Sequence, residues 1–308
     1  NKIMDRIEEL QQIIHKDPTN FQAMRELAYA LMDIGENENA LKALLYLVRI
    51  FPDEGKLHYN IGIIREKMRE NDKAIIEYQT ALRLEPDEPD YMYNLACAYV
   101  SKKEYENAKA LFLKVLNVDT EDENTLFHLG MINSRQNESQ KAIEYLEKAI
   151  SLVPDDAIAR FYLAYEYKRT GRVEDALNEY QEVINISPDY SWAYFNTAAI
   201  YWEAGEVVKA IENLDKTVEL NPHDIKAYEL FVKILMKENN DQGAMAVVRK
   251  AITDNPENGD LYYTAAQVCK KLKDKTNYEK FLKSALQFSG SLTSIPPREA
   301  RKELNEIS

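Results

Sequence analysis

The sequence predicts an all-α fold built from stacked, antiparallel helix pairs, and three columns of residues carry that prediction. Pro18, Pro52, Pro86, Pro154, Pro188, Pro222 and Pro256 lie on one lattice with a spacing of 34 residues, and Thr120 holds the site left between Pro86 and Pro154. Ala40, Ala74, Ala108, Ala142, Ala176, Ala210 and Ala244 form a second column in the same phase. A third is restricted to small residues at Ala28, Gly62, Ala96, Gly130, Ala164, Ala198 and Ala266, with Val232 intruding. Such a period is the signature of a solenoid, in which each repeat is too small to bury its own apolar face and stacks on its neighbours. Composition agrees: 308 residues with only 9 Gly and 10 Pro, 30% charged and 45% hydrophobic, suit a helical chain able to bury a sizeable core.

Residues 1–20 carry an apolar stripe at Ile3, Ile7, Leu10 and Ile14 and are expected to form an N-terminal packing helix, either alone or as the second helix of a truncated repeat. Eight repeats follow over 21–292, bounded as 21–54, 55–88, 89–122, 123–156, 157–190, 191–224, 225–258 and 259–292. The small and alanine columns mark where helices come closest, because a large side chain there would hold the backbones apart. Proline ends each second helix or starts the next, since it lacks an amide donor and keeps its predecessor out of the helical region. Inside the pair, Gly35, Asn137, Gly171, Gly205 and Asn239 share a turn column, residue types that tolerate a left-handed backbone. The last repeat is the most divergent, with Tyr278 in place of the alanine and Gly290 in place of the proline. Residues 293–308 are expected to supply a capping helix from Pro297 onward, with Ala300, Leu304 and Ile307 on one face.

The pattern resembles the tetratricopeptide repeat (TPR) family. In repeat 191–224 the matching residues are Tyr194, Thr197, Ala198, Tyr201, Ala210, Leu214 and Pro222; in repeat 89–122 they are Met92, Leu95, Ala96, Tyr99, Ala108 and Phe112, with Thr120 where proline would stand. The resemblance implies a right-handed superhelical solenoid whose concave face holds ligands.

On that reading Tyr194, Ala198 and Tyr201 are packing, whereas Trp192, Phe195, Ala199 and Trp202 form a second stripe rotated toward the concave face. Its middle column runs Arg25, Tyr59, Tyr93, Phe127, Phe161, Phe195, Glu229, Tyr263, placing a ring at one level in five consecutive repeats. The next column includes Tyr165, Lys233 and Gln267, so the stripe turns polar in the last two repeats. The rings are candidates for a partner groove, and packing against the next repeat is the competing role. Asn60, Asn94 and Asn196 follow the ring column by one residue, and the resemblance implies that asparagine there grips a ligand's main chain. Lys67, Arg135, Arg169, Lys237 and Lys271 close the stripe as a basic rim suited to acidic flanks on a partner.

A net charge of −13 argues against nucleic acid or an anionic membrane as the main partner, and no apolar run reaches the length of a membrane span. Cys97 and Cys269 are too far apart in the array to suggest a disulfide, and the four histidines fall on different repeats without ligand spacing. No phosphate loop, metalloprotease or calcium motif is present, so neither catalysis nor a cofactor is expected. The carboxylate clamp of some TPR co-chaperones is absent too: Tyr29 stands where its asparagine is required, and Asp90 and Asn94 replace its cations. The expected function is a non-catalytic scaffold binding a protein or peptide with apolar anchors and acidic flanks, within a multiprotein assembly. A recognition arm for a catalytic domain outside residues 1–308, or a self-associating structural subunit, are the alternatives. A soluble, cytoplasmic protein is favoured, with compartment and oligomeric state left open by a chain that begins at Asn1.

Overall fold

The computed structural model describes residues 1–307, and among them it contains helices and no strands. The chain divides into two compact units, the first Asn1–Pro154 and the second beginning at Asp155.

In the first unit a lone helix, α1 (Lys2–Lys16), precedes four pairs: α2 (Phe21–Asp33) with α3 (Asn37–Ile50), α4 (Gly55–Lys67) with α5 (Asn71–Leu84), α6 (Pro89–Ser101) with α7 (Tyr105–Val118), and α8 (Glu123–Arg135) with α9 (Ser139–Leu152). The second unit repeats the plan with α10 (Ala157–Arg169) and α11 (Val173–Ile186), α12 (Ser191–Glu203) and α13 (Val207–Leu220), α14 (Ile225–Lys237) and α15 (Asp241–Asp254), and α16 (Gly259–Leu272) and α17 (Lys275–Gln287). A 3-10 turn, Ser289–Ser291, leads to the last helix, α18 (Pro297–Asn305). Within each unit every helix packs on the next one in the chain. Pro18 sits in the turn that leaves α1, and the other six lattice prolines and Thr120 sit in the turns that leave the second helix of a pair.

The small columns are the contact line inside each pair. Every member of the alanine column is fully buried, as are Ala28, Ala96, Ala164, Ala198 and Ala266. An added Cβ at Gly130 would come within 2.8 Å of Leu146 Cγ, so no larger residue fits without a shift. Val232 is tolerated because the facing column, which holds Tyr78, Phe112, Tyr180 or leucine in other pairs, narrows there to Val248 in the same core cluster.

The turn between paired helices is stricter than the sequence suggests. All eight members of its column have positive φ: Gly35, Gly171 and Gly205, Asn137 and Asn239, and also Arg69, Lys103 and Lys273. The backbone explains it, because Glu36 N donates to Leu31 O at 2.9 Å and Glu104 N to Tyr99 O at 2.9 Å, the six-to-one bond that needs a left-handed residue after the helix. A charged side chain pays a steric penalty at this position that glycine does not. Lys103→Gly is therefore expected to stabilise the protein by about 0.5 kcal/mol, and Gly171→Ala, with open space around it but φ +85, to destabilise by about 1 kcal/mol. Urea midpoints moving in the same direction for both would refute this.

A single helix stands before the first pair and another after the last. Ile7 and Leu10 of α1 are buried, Ile14 is half-buried and Ile3 stays 42% exposed. Ala300 of α18 falls one lattice step beyond Ala266 and is fully buried, while Leu304 and Ile307 pack on the core of the second unit.

Candidate functional site

In the first unit the ring column is half-buried and heavily engaged. Tyr59 packs tilted against Tyr91 at 4.6 Å and lies 5.9 Å from Tyr78, and its hydroxyl accepts from Asn94 Nδ2 at 2.6 Å. Asn94 Nδ2 also donates to Asp90 O at 3.0 Å, so this amide serves the fold. Asn60 is 7% exposed, and its Nδ2 is buried without an acceptor. Tyr93 meets Phe112 and His128 edge-on at 5.7 Å each, and Phe127 lies 5.8 Å from the same imidazole. Burial lowers the His128 pKa, which favours the neutral ring. Cys97 Sγ is 3.9 Å from His128 Nε2, but burial pushes its thiol up to about 11 against the opposing hydrogen bond with Tyr93. A thiol held this far from ionisation is a packing group, not a nucleophile.

In the second unit the rings separate into a floor and an exposed layer. Phe161, expected on the groove wall, is only 7% exposed, enclosed by Tyr190 at 5.3 Å, Tyr180 at 5.6 Å and Trp192 at 6.4 Å. Phe195 is half-buried on the core cluster. On the same two helices Trp192 is 57% exposed, Tyr165 43% and Ile158 53%. Ile158 was missed in the sequence, although it stands one lattice step before Trp192 in the same column. Trp202 is half-buried, with Lys237 Nζ 5.5 Å from its ring centroid, and Asn196 Nδ2 donates to Trp192 O at 2.7 Å. Tyr194 and Tyr201, expected in the core, are half-buried.

The basic rim is largely committed within the chain. Arg135 Nη1 donates to Tyr105 Oη at 3.3 Å, Arg169 pairs with Glu166 at 3.4 Å, and Lys271 pairs with Asp241 at 3.1 Å while donating to Met236 O. Lys237 lies over Trp202, and Lys67 is exposed. These partners sit on the same or neighbouring helices, and a guanidinium already held by a ring or a carboxylate has less charge to offer a ligand. Among the described residues no group of three or more His, Cys, Asp or Glu is placed to hold a metal ion, and no helix is long and apolar enough to cross a membrane.

Comparison with known proteins bears on this architecture. Tetratricopeptide repeat family models match residues 3–68, 55–88, 89–122 and 124–156, and a further TPR repeat model matches 164–205. No curated protein sequence matches the chain. Among solved structures it is similar to the C-terminal part of a TPR repeat-containing protein from Cytophaga hutchinsonii, at 19% identity over 74% of this chain and 93% of that one, with a TM-score of 0.61. A tetratricopeptide repeat protein from Parabacteroides merdae shares 20% identity over 80% and 98%, with a TM-score of 0.59. YrrB, described as a TPR protein with an unusual peptide-binding site, shares 24% identity over 61% and 96%, with a TM-score of 0.54. Consecutive repeat matches on an all-helical array of pairs establish that the chain belongs to the tetratricopeptide repeat family, whose fold generally serves as a non-catalytic scaffold for protein–protein interaction.

Proposed function

We propose that this chain is a protein-binding scaffold that captures an extended or amphipathic segment of a partner on the face carrying its aromatic stripe, with the strongest anchor on α10 and α12. The observation that carries the proposal is the exposure of Ile158 and Tyr165 on α10 and of Trp192 on α12, the last lying 6.4 Å from the buried Phe161 ring. Large apolar side chains exposed in a group lose water favourably only when a partner covers them, and tryptophan and tyrosine are the residues that most often dominate binding energy. Their backbone is preorganised on first helices of adjacent pairs, so binding orders little of the scaffold. The peptide-binding site described for YrrB, which shares the fold, is consistent with this use of it.

The decisive comparison is a lysate pull-down of the parent chain against Ile158→Asp/Trp192→Asp. Both positions are more than half exposed, so the variant is expected to keep its helical circular dichroism, whereas a charge at the buried Phe161 would disturb the core. The variant is expected to lose the proteins that the parent captures specifically. Retention of the same set by a folded variant would remove the stripe from the binding surface.

A further inference from the structure

The second helices of the pairs carry a charge pattern that the aromatic stripe on the first helices does not use. Beyond their first turns α3, α5 and α7 (residues 41–50, 75–84 and 109–118) hold five Lys or Arg and one carboxylate, whereas α11 and α13 (177–186 and 211–220) hold one Lys and five carboxylates. The sign inverts along the lattice. The column of Lys42 reaches Glu212, that of Lys114 reaches Glu182, and that of Arg49 and Arg83 reaches Glu219, so equivalent positions on equivalent helices offer opposite charge. All of these side chains are exposed. We propose that the two faces are the two halves of one interface between copies of this chain, the outer face of α3, α5 and α7 in one copy receiving that of α11 and α13 in another.

The occupant is a second copy because each face lacks at home what the other supplies. Lys42, Arg49, Arg83 and Lys114 make no ion pair among the described residues, and Glu77, the one carboxylate beyond the first turns of the basic helices, is half-buried and held by His58 at 2.8 Å. At the start of those helices Asp72 is already paired with Lys102 at 2.9 Å. On the acidic side Glu212 and Asp215 make no ion pair among the described residues, while Lys216 serves Glu219 at 3.5 Å. Apolar area is present on both. Tyr46, Ile76 and Leu113 are exposed on the basic helices, and Val208, 70% exposed, heads the stripe Val208, Glu212, Asp215 and Glu219, spaced i, i+4, i+7, i+11 on one side of α13. Neither face complements itself, so the contact is heterologous: copies add head to tail, and a third can join the second. A net charge of −13 repels copies at long range, so only close pairing of these residues can hold them together. Associated copies would present their aromatic anchors jointly, an avidity that, unlike the interface, rests on the scaffold reading above.

Sedimentation velocity of the full chain over a concentration series, with no partner present, reads the association. In about 0.15 M sodium chloride the mass is expected to rise above that of the monomer with concentration; in about 1 M, where the screening length falls from about 8 to 3 Å, association is expected to weaken about tenfold. Two charge-reversed chains then address the faces, Lys42→Glu/Arg49→Glu/Arg83→Glu and Glu212→Lys/Asp215→Lys/Glu219→Lys. All six positions are exposed, so both variants are expected to keep the circular dichroism of the parent. Each alone carries two faces of like sign and is expected to stay monomeric. An equimolar mixture, in which opposite signs meet again, is expected to recover the association of the parent to within about threefold. A monomeric parent, association undiminished in 1 M salt, either variant associating alone as the parent does, or a mixture as monomeric as its components overturns the interface. Ile158→Asp/Trp192→Asp is expected to associate like the parent, so failure here and failure of the pull-down are separable.

Discussion

Alanine in place of Asp260 is expected to release the C-terminal helix while the remaining helices stay folded. Asp260 is 7% exposed, and one of its oxygens accepts the backbone amides of Thr293 and Ser294 while the other accepts the Thr293 hydroxyl. Burial pushes this carboxyl up, but those hydrogen bonds outweigh it and hold it below its ordinary value. Glu303 anchors the far side of the same segment, accepting from Tyr263, Tyr278 and Gln267, and it too is held low against burial, with Lys270 helping. Hydrogen bonds to a charged group contribute about 1.5–3 kcal/mol each. With water recovering part of the loss, Asp260→Ala should weaken docking of α18 by about 2–4 kcal/mol. In a solenoid that loss stays local, so amide hydrogen exchange over 297–305 should quicken by about 30-fold or more while α12 and α13 keep their protection. Unchanged exchange at α18 would show that Glu303, Ala300, Leu304 and Ile307 hold it without Asp260. Acid should act alike: a carboxyl whose folded pKa is depressed contributes its full stability above the ordinary carboxylate range and loses it as pH falls through the folded value. Protection of α18 should thus fade below about pH 4.

Much of this architecture can be read from the chain because its causes recur every 34 residues. Proline ends helices by local sterics, and Ala40 through Ala244 are small because a helix backbone crosses them, so position in the lattice tells the role. The residues that resisted reading depend on neighbours off the lattice. Phe161 shares a column with half-buried Tyr59 and Phe195, yet it is covered because Tyr190 and Trp192 happen to be aromatic around it. Lys271 is spent on Asp241 and Arg135 on Tyr105, pairings set by single residues on adjacent helices. Arg69, Lys103 and Lys273 hide a left-handed backbone that glycine announces at Gly35. Local backbone demand is stronger than residue preference there, so side-chain type was a poor witness to it.

Gly62→Ala should reverse the usual sign of its substitution class. In an exposed helix interior alanine is more stabilising than glycine by about 0.5–1 kcal/mol, through its smaller loss of backbone freedom. At Gly62 an added Cβ would lie 2.5 Å from Tyr78 Cε1 and 2.7 Å from Cδ1, far inside van der Waals contact. The ring cannot step aside easily: Tyr78 is 1% exposed, flanked by Tyr59 at 5.9 Å and with its hydroxyl beside the half-buried Glu66. Overpacking of this kind costs about 1–3 kcal/mol, more than the backbone gain, so the urea midpoint should fall. The first pair supplies the control, because the same two columns hold Ala28 and Leu44, both fully buried. Tyr78→Leu alone should destabilise by leaving space, but in the Gly62→Ala background it should relieve the clash, so the double variant should lose less than the sum of the single losses. Strict additivity would mean that Gly62 and Tyr78 do not share a contact in solution. A rise in stability for Gly62→Ala would mean that the helices can separate at no cost, and the small column would then owe its regularity to something other than close approach.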